Sequence, residues 1–126
     1  MVCLGGSFLL LLDACQPLPV YKTVSENKKL RIPLEQFGEN NFIIVQPSDL
    51  NYDIAVLKNS DTEFQSFVMV CTHADNPVRF NGQDFKCSLH GSIFNRNGAV
   101  SKGPAEKGLI ALITSKENNS IIITLK

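Results

Sequence analysis

From Lys29 to Lys126 the chain sustains no helical hydrophobic period across ten residues, and this constrains its fold more than any other feature. An amphipathic helix repeats apolar residues at i, i+3, i+4 and i+7. Only a single turn near residues 34–37 approaches that spacing. What recurs instead is brief, β-rich, apolar runs at 30–33, 42–46, 53–58, 64–70, 109–114 and 120–125. Turn residues separate them, as in Gln46-Pro47-Ser48-Asp49, Asn59-Ser60-Asp61 and Glu117-Asn118-Asn119. Short strands at this spacing predict an all-β fold, an antiparallel β-sandwich or small barrel. A chain of 126 residues fits one such domain, and with 44% hydrophobic residues it can build a core without disulfide staples.

The segment 71–109 breaks the strand pattern, being dense in Gly, Asn and Pro, and is expected to form a loop-rich subdomain on the sheet. It holds both histidines of the chain, His73 and His90, and two of its four cysteines, Cys71 and Cys87. Each histidine sits beside a cysteine: Cys71-Thr72-His73, thirteen residues, then Cys87-Ser88-Leu89-His90. Three readings of this pairing are open. The thiols could be buried core residues or one disulfide, because free cysteine packs as a small hydrophobe. The four residues could hold structural zinc, although zinc sites favour C-x2–4-C with H-x3–5-H, and this mixed order fits them poorly. They could also hold an iron–sulfur centre.

The string resembles the C-x-H…C-x-x-H motif of the Rieske family, and its flanks do too. His90-Gly91-Ser92-Ile93-Phe94 is similar to the H-G-S-x-[YF] run after the second pair. Gly98-Ala99-Val100 and Gly103-Pro104-Ala105 are similar to the turn and proline loop that follow. The resemblance covers roughly residues 29–126. It implies one two-iron, two-sulfide cluster with Cys71 and Cys87 on one iron and His73 and His90 on the other. Each loop would then give one ligand to each iron, so Cys71 and His73 need not chelate a single ion. Neutral imidazoles in place of thiolates raise the redox potential, and their second ring nitrogens can couple proton to electron transfer.

By the same resemblance, Ser92 is expected to donate its hydroxyl proton to a bridging sulfide. Phe94 stands where high-potential members carry a tyrosine that bonds to the first ligand cysteine. Asn76 and Leu89 occupy the positions of a loop disulfide in those members, so that bridge is absent here. A potential in the lower or middle part of the family range is the consequence. Phe80, Phe85 and Phe94 are expected as packing bulk, and Lys102 and Lys107 as solvated side chains.

Residues 1–12, MVCLGGSFLLLL, are apolar and stop at Asp13. As a helix they would reach roughly 18 Å, short of a ~30 Å hydrocarbon core, and they suit the apolar stretch of a signal peptide. Leu12-Asp13-Ala14-Cys15 resembles a bacterial lipobox, which predicts cleavage before Cys15 and lipidation of its thiol. Residues 1–14 are thus expected as a signal peptide, 15–28 as a tether and 29–126 as the cluster domain, lipid-anchored on the outer face of a bacterial cytoplasmic membrane.

Charge and motif content narrow the function. Twelve basic and twelve acidic residues cancel, leaving no basic field to hold a nucleic acid. No nucleophile–base pair or separate substrate site stands out. A mononuclear-iron oxygenase site needs further histidines, which this chain lacks. The expected function is one-electron transfer to unidentified redox partner proteins, as a small exported or tethered carrier. The alternative is the Rieske subunit of a larger respiratory or oxidoreductase complex.

Overall fold

The computed structural model describes residues 18–126. The expected signal peptide and Cys15 lie outside the described residues. Two sheets divide the chain. The larger contains β1 (Val20–Thr23), β2 (Lys29–Pro33), β3 (Phe42–Pro47), β4 (Ile54–Lys58), β5 (Phe64–Val68), β10 (Ala111–Glu117) and β11 (Ser120–Thr124). The smaller contains β6 (Val78–Phe80), β7 (Phe85–Cys87), β8 (Ile93–Phe94) and β9 (Val100–Lys102). A 3-10 turn at Leu34–Phe37 occupies the one place where the sequence hinted at helical spacing.

The large sheet runs β1-β3-β4-β5-β10-β11-β2. Its two edge strands are consecutive in the chain, so the sheet curls into a nearly closed barrel. The expected all-β barrel with a loop-rich subdomain is what the chain forms. One strand falls where a tether was expected: Val20–Thr23 pairs with β3, in parallel, from Val20↔Ile44 to Thr23↔Pro47. Ser25 extends the attachment by donating its backbone N–H and its hydroxyl to the Asp49 carboxylate.

Side-chain alternation explains the near-continuous apolar runs of β3 and β4. Ile43, Val45, Ile54 and Val56 point into the barrel, where they meet Leu30, Ile32, Ile121 and Ile123. Ile44, Ala55 and Leu57 point the other way and pack beneath the small sheet. A strand buried on both faces cannot alternate with polar residues. Strand β2, covered on one face only, reads Lys-Leu-Arg-Ile, exposed and buried in turn.

A ladder of aromatic rings joins the two sheets. Phe42 of β3 meets Phe80 edge-on at 4.9 Å, Phe80 stacks on Phe85 at 4.4 Å, and Phe85 meets Phe67 of β5 at 6.0 Å. Such pairs each add about 0.5–1.5 kcal/mol beyond area burial. Arg96 adds a polar tie, donating to the carbonyls of Gly82 and Asn41 at 3.0 and 3.1 Å. The small sheet is thereby held rigidly against one side of the barrel.

Gly98 shows how closely the layers approach. Its φ is +80°, and a Cβ there would lie 2.6 Å from the Phe67 ring. Its carbonyl also accepts the Leu109 N–H at 2.8 Å, tying the end of the 103–109 loop to the small sheet. Gly98→Ala is expected to destabilise the fold by about 2–4 kcal/mol, combining left-handed backbone strain with overpacking. Denaturant unfolding reads this directly, and a loss under about 1 kcal/mol would contradict it.

Candidate metal centre

Two loops of the small sheet carry the four residues singled out in the sequence. Cys71 follows the isolated bridge Val70↔Pro77, and Cys87 ends β7 opposite Val78. The loops share one hydrogen-bond frame. Cys71 N–H donates to the Asn76 carbonyl at 2.7 Å, while the Cys71 carbonyl accepts Asp75 N–H at 2.9 Å. Cys87 N–H donates to the Ser92 carbonyl at 2.9 Å, while the Cys87 carbonyl accepts Gly91 N–H at 3.0 Å. Each turn closes on a residue of positive φ, Asp75 at +52° and Gly91 at +83°. Asp and Gly are residue types that tolerate this region, which is why both loops can be so tight.

The side chains separate into two layers. Cys71 and Cys87 are free thiols, fully buried within one apolar cluster. His73 and His90 are exposed at the tip, with ring centroids 5.3 Å apart. No three His, Cys, Asp or Glu side chains among the described residues converge where one ion could sit. The arrangement is a thiol pair below an imidazole pair. It does not form the tetrahedron around a point that a structural zinc site requires. It matches the donor set of a two-iron centre, soft sulfur on one side and imidazole on the other. A Cys71–Cys87 disulfide is not formed.

The surroundings bias the Cys87 thiol toward its thiolate. Burial raises its pKa, but the backbone N–H groups of Leu89 and His90, the Cys71 thiol and the Asn76 amide oppose this, and the net shift is downward. The thiolate is the form in which Cys87 could hold a metal. Ser92 is fully buried and its Oγ accepts the Ala105 N–H at 2.9 Å, joining the second loop to the Gly103-Pro104-Ala105 loop. The Thr72 hydroxyl joins the first loop to the same segment through the Lys107 carbonyl. Phe94, Phe80 and Phe85 are buried in one apolar cluster with both thiols, as packing bulk. Lys102 and Lys107 are exposed.

One contact was not anticipated. The Asn76 side-chain amide lies 3.8 Å from Cys87 Sγ, reaching from the first loop to the second. In the sequence Asn76 signals only a missing cysteine. Nothing there shows that residues 76 and 87 approach.

The fold and the paired donor layers define an iron–sulfur domain of the Rieske class, and comparison with known proteins agrees. The Rieske 2Fe-2S domain family matches residues 23–115, and the chain belongs to that family. Membership indicates its cofactor, one two-iron, two-sulfide Rieske cluster. The chain is 32% identical over 89 residues to the cytochrome b6-f complex iron-sulfur subunit 1 of Nostoc sp., covering 69% of this chain and 49% of that protein. It is 32% identical over 72 residues to the cytochrome b6-f iron-sulfur subunit of Gloeobacter violaceus, covering 54% and 39%. The chain thus spans half or less of the length of these relatives. Among solved structures, the plasma membrane Rieske protein of Synechocystis superposes with a TM-score of 0.63 at 21% identity, over 75% of this chain and 98% of that one. The ferredoxin of carbazole 1,9a-dioxygenase from Nocardioides aromaticivorans superposes with a TM-score of 0.57 at 19% identity, over 79% and 100%. At those identities the likeness is one of fold.

Proposed function

We propose that this chain is a small exported or membrane-tethered one-electron carrier whose cluster is held by Cys71, His73, Cys87 and His90. The observation that carries the ligand assignment is the buried thiol pair set beneath the exposed imidazole pair. When bound, the cluster supplies a one-electron couple at the edge of the protein. The chain's own residues do the rest. Cys71 and Cys87 anchor on the dry side, where the apolar cluster excludes water. His73 and His90 face solvent, so each can present a ring nitrogen to a partner protein. Ser92, buried and held by Ala105, has its hydroxyl proton left to donate toward the cluster.

Lipid anchoring through Cys15 on the outer face of the cytoplasmic membrane belongs to the same proposal. It rests on the lipobox-like Leu12-Asp13-Ala14-Cys15. No helix among the described residues is long and apolar enough to cross a membrane. Cys15→Ala is expected to release the protein from membranes or to block its processing, read by fractionation and intact mass. Unchanged membrane association with the native N-terminus retained would reject the anchor.

The second reading, a subunit of a larger complex, is favoured by the b6-f subunits among its relatives. Purification under mild detergent separates the two: a carrier elutes alone, and a subunit elutes with cytochrome or quinol-oxidase partners. The cluster itself is tested by iron and sulfide content and by the electron paramagnetic resonance of the dithionite-reduced protein. A zinc-loaded or metal-free protein after anaerobic purification and reconstitution would overturn the reading.

A further inference from the structure

We propose that Asn76 is a positioning and tuning residue of the centre, its side-chain amide bonding across the two loops to the sulfur of Cys87. This rests on the reading of Cys87 as a cluster ligand. Asn76 is tied to both loops at once. Its carbonyl accepts the N–H of Cys71 at 2.7 Å, and its Nδ2 lies 3.8 Å from Cys87 Sγ. The same Nδ2 is 3.3 Å from the Pro77 carbonyl, a second contact that restrains the amide. The backbone bond to Cys71 and the contact with Pro77 together limit the freedom of the amide.

Two consequences follow. First, among the described residues no disulfide joins the loops, and Cys71 and Cys87 are both free thiols. The Asn76 amide is a side-chain link between the two loops at the level of the sulfurs. Removing it should loosen the grip of the second loop on the cluster. Second, a donor aimed at a ligand sulfur stabilises whichever redox state places more negative charge on that sulfur. That is the reduced state, so the amide raises the potential.

The two effects are separable by substitution. Asn76→Leu keeps the branched shape and deletes the donor, and Asn76→Ala deletes both. Without the donor, the equilibrium constant for reduction is expected to fall by roughly threefold to tenfold, the range of a single net hydrogen bond. Both variants should show this fall, and Asn76→Ala should also lose its visible absorbance faster on warming. The measurement is protein-film voltammetry on the holoprotein, with spin integration of the reduced signal as a check on cluster content. An unchanged potential in both variants at full cluster content would overturn the proposal while leaving the ligand assignment intact. If Cys87→Ser retained a normal cluster, the ligand assignment would fall, and this inference with it. Should Asn76→Ala fail to fold, Asn76→Leu alone decides, since the residue is partly exposed and leucine keeps its branched shape.

Discussion

Cys71→Ser or Cys87→Ser is expected to yield colourless protein after anaerobic purification, with iron and sulfide reduced to background. Both thiols are fully buried at the base of the paired loops, so a lost ligand cannot be replaced from solvent by a small rearrangement. Serine offers a hard, neutral hydroxyl where the site needs a soft anion, and ligand softness decides affinity for iron–sulfur centres. The fold should survive, because the exchange is nearly isosteric and the barrel core lies on the other face of β3 and β4. Far-ultraviolet circular dichroism would confirm this, and it separates loss of a ligand from loss of the protein. Colourless but folded protein supports the assignment. A variant keeping full iron, sulfide and the reduced Rieske signal would remove that cysteine from the ligand set.

The strands that read clearly in the sequence are those with four or more residues and a buried face. Five of the six expected runs overlap β2, β3, β4, β5 and β11 closely. The sixth slides from 109–114 to Ala111–Glu117, because β10 pairs with β11 across a two-residue turn and the hairpin carries the strand up to Glu117↔Ser120. The small sheet did not read at all, since its strands are two or three residues long and no period of two can show itself in so few. Strand β1 was invisible for another reason. Its pairing is parallel to β3, and only the tertiary fold brings the two together.

The candidate ligands stand out in the sequence through scarcity. Two histidines and two cysteines met twice, with glycines and a proline loop at the family's spacing. Their separation into a buried thiol layer and an exposed imidazole layer depends on how the loops fold back, which spacing alone does not state. The Asn76 contact lies further still from the sequence. A side chain eleven positions from its partner has no local pattern to announce it.

The redox potential is expected in the lower or middle part of the Rieske range, which spans roughly −150 to +300 mV, against about −400 mV for plant-type ferredoxins. Opposing features set it. Phe94, fully buried, offers no phenol to a ligand sulfur, and the loops carry no disulfide. Ser92 is expected to act upward: Ala105 N–H occupies its oxygen, so the hydroxyl proton is the group left to meet a sulfide and offset the charge of the reduced state. Ser92→Ala should therefore lower the potential. A hydrogen bond to a charged acceptor is worth about 1.5–3 kcal/mol, and a tenfold change in a one-electron constant is about 59 mV. The expected fall is on the order of 65–130 mV. The same substitution orphans the buried Ala105 N–H, but that penalty is present in both redox states and cancels from the potential, appearing instead as lower stability. Phe94→Tyr should act in the opposite direction if its phenol finds a ligand sulfur, because a buried tyrosine hydroxyl needs a partner. Protein-film voltammetry near neutral pH measures all three proteins under one condition. A Ser92→Ala potential equal to wild type would show that the hydroxyl points elsewhere. A wild-type value at the top of the range would refute the small-carrier reading and favour a quinol-oxidising subunit.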